Sequence, residues 1–134
     1  METGDAPPTL VILNSSQDLL EVLAEVFRDE GFQVVTHHLM PFRRGQVDLI
    51  AFFAQHRPDV VLWELNIPYD KNWAFFQQIR QTTSALNCPV ILTSTNVAQL
   101  RKVANADIDA FEVVGKPFDL NQLIELVRQE LDGK

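Results

Sequence analysis

Apolar positions along this chain follow two rhythms. Short unbroken runs rich in Val, Ile and Leu alternate with longer segments in which apolar residues return at every third or fourth position. Unbroken runs suit strands covered on both faces, and the three-to-four spacing suits helices that bury one side. The clearest run is Val60-Val61-Leu62-Trp63-Glu64-Leu65-Asn66-Ile67-Pro68, in which a fully apolar strand meets one carboxylate and then a proline. Comparable runs predict strands over residues 9–13, 32–36, 90–93 and 110–114.

Between them lie the helices. Ser16 or Gln17 stands at a cap position, Asp18 adds favourable charge to the first turn, and Leu19, Leu23, Val26 and Phe27 form a stripe that Gly31 ends. Residues 37–45 lose this regularity and read as a long loop. In the helix over residues 47–55, Val47, Ile50, Ala51 and Ala54 make the expected core stripe. Leu49, Phe52 and Phe53 make a second one, for which Leu39, Met40 and Phe42 of the loop are the simplest cover. A loop from Tyr69 to Asn72 opens the next helix, with Trp73, Phe76 and Ile79 inward. Val97, Leu100 and Val103 mark a short helix, and Leu120, Leu123, Ile124, Val127 and Leu131 mark the last.

Alternation of strand and helix predicts an α/β fold: a three-layer, doubly wound (βα)5 sandwich with a parallel five-stranded sheet in the order 2-1-3-4-5 and right-handed crossovers. Residues 9–131 form the domain, residues 1–8 read as a flexible leader without periodicity, and residues 132–134 as a tail. In such a fold the ligand crevice lies outside the carboxyl ends of the strands. Asn14 and Ser15 after the first strand, Glu64 at the end of the third, Ser94 after the fourth and Lys116 after the fifth converge there.

Composition narrows the classes. The 134 residues carry a net charge of −7, and no basic cluster exceeds Arg43-Arg44, which argues against binding nucleic acid or an anionic membrane and points to protein partners. A single cysteine, Cys88, excludes an internal disulfide and a cysteine-rich zinc site and is expected as a small buried hydrophobe. No apolar run reaches the length of a membrane span or signal-peptide core, so a cytoplasmic location is the default. His37 and His38 are neighbours rather than an i, i+4 pair, His56 is remote in sequence, and an ordinary solvated role is expected for them rather than metal ligation.

Three segments together carry a family resemblance: Pro58-Asp59-Val60-Val61-Leu62 leading to Leu65-Asn66-Ile67-Pro68, Pro89-Val90-Ile91-Leu92-Thr93-Ser94, and Lys116-Pro117-Phe118. The chain resembles a receiver domain of bacterial two-component response regulators, from Thr9 to Leu131. The resemblance implies a flavodoxin-like architecture and a phosphorelay role. It places the phosphoacceptor on Glu64, the acidic pair that helps hold magnesium on Asn14 and Ser15, the phosphoryl-contacting hydroxyl on Ser94 and the pairing lysine on Lys116. The aromatic switch position falls on Val113, with Phe111 two residues earlier as a substitute or, more simply, as core packing.

Measured against that pattern the chain is degenerate, since Glu64 replaces the phosphoacceptor aspartate and the acidic pair is neutral. Magnesium needs octahedral oxygen coordination and at least one or two carboxylates, so its binding is expected to be weak or absent. Glutamate also moves its oxygens outward by about 1.5 Å relative to aspartate, misplacing an attacking oxygen but bringing a negative charge toward the phosphoryl position. A bond from Glu64 to Ser94 or Lys116 would then imitate the activated state. The expectation is a stand-alone receiver-like domain, not an enzyme, that acts by phosphorylation-independent contact. Its surface is formed by the helix over Val97–Val103, the fifth strand and the last helix, and its occupant is a protein partner or a second copy of the chain. Three alternatives remain: a non-switching scaffold, a flavodoxin-like cofactor binder, although no glycine follows the first strand to admit a phosphate, and an enzyme using Glu64 as general base, although no histidine or second carboxylate reaches the crevice.

Overall fold

The structure, a computed structural model, describes residues 6–82, 88–116 and 119–132. Strands β1 (Thr9–Asn14), β2 (Gln33–His38), β3 (Val60–Glu64), β4 (Val90–Ser94) and β5 (Glu112–Gly115) form one parallel sheet in the order β2-β1-β3-β4-β5. This is the doubly wound order expected from the sequence. Side chains alternate across it: Val11, Leu13, Val61, Trp63, Val90 and Leu92 enter one buried cluster, and Leu10, Ile12, Val60, Leu62 and Ile91 the other. Helices α1 (Gln17–Asp29) and α6 (Leu120–Asp132) cover the second cluster. The first lies under α2 (Leu39–Arg43), α3 (Leu49–His56), α4 (Tyr69–Thr82), α5 (Val97–Ala104) and a 3-10 turn, Asn105–Ala110.

The two clusters differ in chemistry. Under α1 and α6 the core is aliphatic apart from Phe27 and Phe32. The opposite core holds Phe42, Phe52, Phe53, Tyr69, Trp73 and Phe76 around Trp63, whose ring lies 4.9 Å from that of Phe76. Edge-to-face contacts of this kind add to the area buried. As expected, Ser16 caps α1, accepting the Leu19 amide at 3.2 Å, and Gly31 with φ +96° lets the chain leave that helix for β2.

Several local expectations are corrected. The stretch read as a long loop contains α2, a single turn of helix that buries Leu39 and Phe42, as proposed for the cover, but leaves Met40 exposed. On α3 the stripes are reversed: Leu49, Phe52 and Phe53 face the core, whereas Ile50, Ala51 and Ala54 are exposed. Burying two phenyl rings and a leucine removes more apolar area from water than burying one isoleucine and two alanine methyls. His37 and His56 are half-buried rather than solvated, their rings 4.4 Å from Phe42 and 4.5 Å from Phe52 respectively. Cys88 is half-buried at the edge of the aromatic cluster. Helix α4 begins at Tyr69, and β5 begins at Glu112, after the 3-10 turn. The leader up to Asp5, Pro117-Phe118 of the Lys-Pro-Phe segment and the last two residues lie outside the described residues.

Candidate functional site

The parallel sheet brings its carboxyl ends together at one rim. Asn14, Glu64 and Ser94 end β1, β3 and β4, and Lys116 follows β5, its backbone N–H held by the Ser94 carbonyl at 2.8 Å. At the neighbouring Gly115 an added Cβ would stand 3.3 Å from Val97 Cγ2, a tight contact with the start of α5.

Glu64 is the centre of the rim. Only 4 % of it is exposed, and both carboxylate oxygens are engaged. Oε1 accepts the backbone N–H of Ser15 at 3.0 Å and the Ser15 hydroxyl, while Oε2 accepts the Asn66 side-chain amide at 3.2 Å and forms an ion pair with the Lys116 ammonium. Four donors, one cationic, surround one carboxylate. This satisfies the condition under which a buried charge is tolerated. Serine at position 15 fits the same logic, since a carboxylate there would bring a second negative charge and no hydroxyl donor.

The other predicted positions divide. Asn14 is buried, but its Oδ1 accepts the Ser16 N–H at 2.9 Å, so its side chain shapes the turn into α1. Of the two partners expected for Glu64, Ser94 or Lys116, the structure provides Lys116; Ser94 is fully buried, and its Oγ accepts the Asn96 N–H at 3.2 Å. A hydroxyl two residues before a helix N-cap has this local partner close at hand. Thr95, the second of the two hydroxyls that follow the fourth strand's apolar run, reaches Asn66. Its Oγ1 donates to Asn66 Oδ1 at 2.6 Å and lies 3.3 Å from the Tyr69 hydroxyl, so a polar chain runs Glu64–Asn66–Thr95 into the loop before α5. Val113 is half-buried in the aromatic cluster. Phe111 packs against Phe76 at 5.2 Å and Trp73 at 6.2 Å, with the Arg80 guanidinium 4.6 Å above its ring.

Beside Glu64 opens a cavity of about 120 Å³ lined by the polar Ser15, Arg43, Glu64, Asn66 and Asn72 and the apolar Leu39, Met40, Trp63, Ile67 and Phe75. Glu64 is the sole carboxylate in that lining, which also includes the cationic Arg43. The Asn66 carbonyl accepts the Asn72 amide at 2.6 Å. Such a donor set does not fit magnesium, which takes several hard oxygens in near-ideal octahedral geometry. Arg43 was legible in the sequence only as half of a basic pair.

Comparison with known proteins decides the family. A family model for the response regulator receiver domain matches residues 10–128. The chain belongs to that family. It is similar to the sensory transduction protein RegX3 of Mycolicibacterium smegmatis, with 26% identity over 123 residues, covering 92% of this chain and 50% of the relative. The chain thus spans about half the length of the curated relatives it matches. Among solved structures, the Vibrio cholerae chemotaxis protein CheY4 superposes with a TM-score of 0.72 at 18% identity, covering 93% of this chain and 99% of that one. The Escherichia coli RcsC C-terminus, described as containing a linker region and a phosphoreceiver domain, gives 0.76 at 19% identity, covering 98% and 49%. At these identities the superpositions speak to the fold. As a receiver, the chain is a signalling domain of the two-component class, and none of its described helices is long and apolar enough to cross a membrane.

Proposed function

We propose that this receiver signals through protein contact without being phosphorylated, Glu64 standing permanently where a phosphoryl group would otherwise be placed. The observation that carries the reading is the saturated carboxylate: Glu64 already holds Lys116, the lysine matched to phosphoryl pairing, together with three further donors. An oxygen with its lone pairs committed to donors is a poor nucleophile, and without a dication the charge neutralisation that dominates phosphoryl transfer is missing. The carboxylate imitates only part of a phosphoryl group, one charge against about −1.5 to −2. Its influence reaches the output surface by two routes, through Lys116 to the start of the β5–α6 connection and through Asn66 and Thr95 to the β4–α5 loop. That surface, formed by α5, β5 and α6, is where a protein partner or a second copy of the chain docks. No catalytic turnover is assigned to the domain.

The test is an amide NMR spectrum. Glu64→Gln preserves shape and removes charge, and it should shift resonances across Val97–Ala104 and Glu112–Gly115, whereas magnesium with acetyl phosphate should leave the wild-type spectrum unchanged. Shifts confined to the immediate neighbours of Glu64 would favour a non-switching scaffold.

A further inference from the structure

The cavity beside Glu64 contains two polar groups that no other described residue satisfies. Arg43, half-buried at the end of α2, has no hydrogen bond or ion pair among the described residues. Asn72 is 7 % exposed, and its Oδ1 is buried without a donor. Its amide nitrogen is committed to the Asn66 carbonyl at 2.6 Å, so turning the amide over would set two oxygens against each other and gain nothing. A buried acceptor left empty costs about 1–3 kcal/mol. Folding tolerates such a group where a ligand completes it.

The remaining walls are apolar. Leu39, Trp63 and Phe75 line the cavity, and at its rim Met40 and Ile67 stand 41% and 78% exposed, side chains that a monomer in water would otherwise turn inward. A volume of about 120 Å³ is slightly less than a cavity known to accept benzene, which sets the buried part of an occupant at about four or five carbons. Glu64 offers nothing further, because its oxygens are already taken by Ser15, Asn66 and Lys116.

We infer that this cavity is an effector site for a small apolar carboxylate carrying an N–H donor, an aliphatic α-amino acid being the simplest member of the class. The carboxylate pairs with Arg43, the N–H supplies the donor that Asn72 Oδ1 lacks, and the aliphatic group packs on Leu39, Trp63 and Phe75. A guanidinium matches a carboxylate in a bidentate fork, which water does not. The site is independent of the phosphorylation-free reading above, and its readout needs neither a partner nor the α5–β5–α6 surface.

The experiment uses the full chain and follows the indole N–H resonance of Trp63, assigned by comparison with Trp63→Phe, during titration with L-leucine, isovalerate and isopentylamine. Saturable shifts with leucine are expected. Isovalerate lacks the N–H and isopentylamine lacks the carboxylate, so each should bind at least about tenfold more weakly. Arg43→Gln should weaken leucine by a similar factor, and the analogue series carries the same information should that variant fold poorly. Absence of saturation at millimolar leucine, equal binding of all three compounds, or shifts that bypass Trp63 would each overturn the assignment and leave the cavity as a water-filled cleft.

Discussion

Two neighbouring parts of the crevice differ in how fully they use their polar groups. At the ends of β3 and β5, every oxygen of Glu64 has a donor and the opposing charge of Lys116 is in contact. A few residues away, under α2 and α4, Arg43 and Asn72 Oδ1 are left without partners among the described residues. The first arrangement is completed within the fold; the second, among the described residues, is not. At the rim a carboxylate is fully engaged, while the space beside it is lined by a cation and an acceptor that no described residue partners.

This contrast can be broken by substitution, most strongly at Lys116. Lys116→Met strands the buried Glu64 charge and is expected to lower stability by about 3 kcal/mol in urea denaturation. Glu64→Gln should cost less, about 2 kcal/mol. The double variant should cost less than the sum by at least about 1 kcal/mol, because the two groups act as one unit. Additive losses would mean that the pair is a surface coincidence.

A smaller effect is expected at Ser15, whose backbone donor survives substitution. Ser15→Ala removes only the hydroxyl contact to Oε1, a loss of about 1 kcal/mol measured the same way. Smallest of all is Arg43→Gln, which breaks no bond that the fold makes and should change stability by no more than about 0.5 kcal/mol. A larger loss there would show that Arg43 is already engaged and would erase the distinction between the two regions.

Much of this was legible in the sequence, and the exceptions share a cause. The strand order is the common solution for alternating strands and helices, and the stripe of α6 follows from its periodicity. On α1 the buried face is rotated, Leu20 and Ala24 being buried and Leu19 and Val26 half-buried, and the Glu64–Lys116 pair was legible only through the positions matched to the family. Helix α2 was read as loop because five residues containing Pro41 are too short to show a period. The stripe of α3 was inverted because two apolar faces competed, and only the volume of Phe52 and Phe53 decides between them. Of Ser94 and Lys116, the two partners the sequence offers Glu64, only Lys116 meets it: a backbone N–H two residues away captures the Ser94 hydroxyl, and Thr95 links β3 to the next loop through Asn66. Arg43 reaches the crevice only because α2 packs Leu39 and Phe42 inward, a tertiary consequence that no local spacing announces.

The central claim, that Glu64 stands in for a phosphoryl group instead of receiving one, is tested most directly by incubating the purified chain with acetyl phosphate and magnesium and measuring its intact mass. The account predicts an unchanged mass for the wild type and for Glu64→Asp alone, because Asn14, Ser15 and Arg43 still deny the dication its site. A mass increase of one phosphoryl group in the wild type, mapped to Glu64, would contradict it.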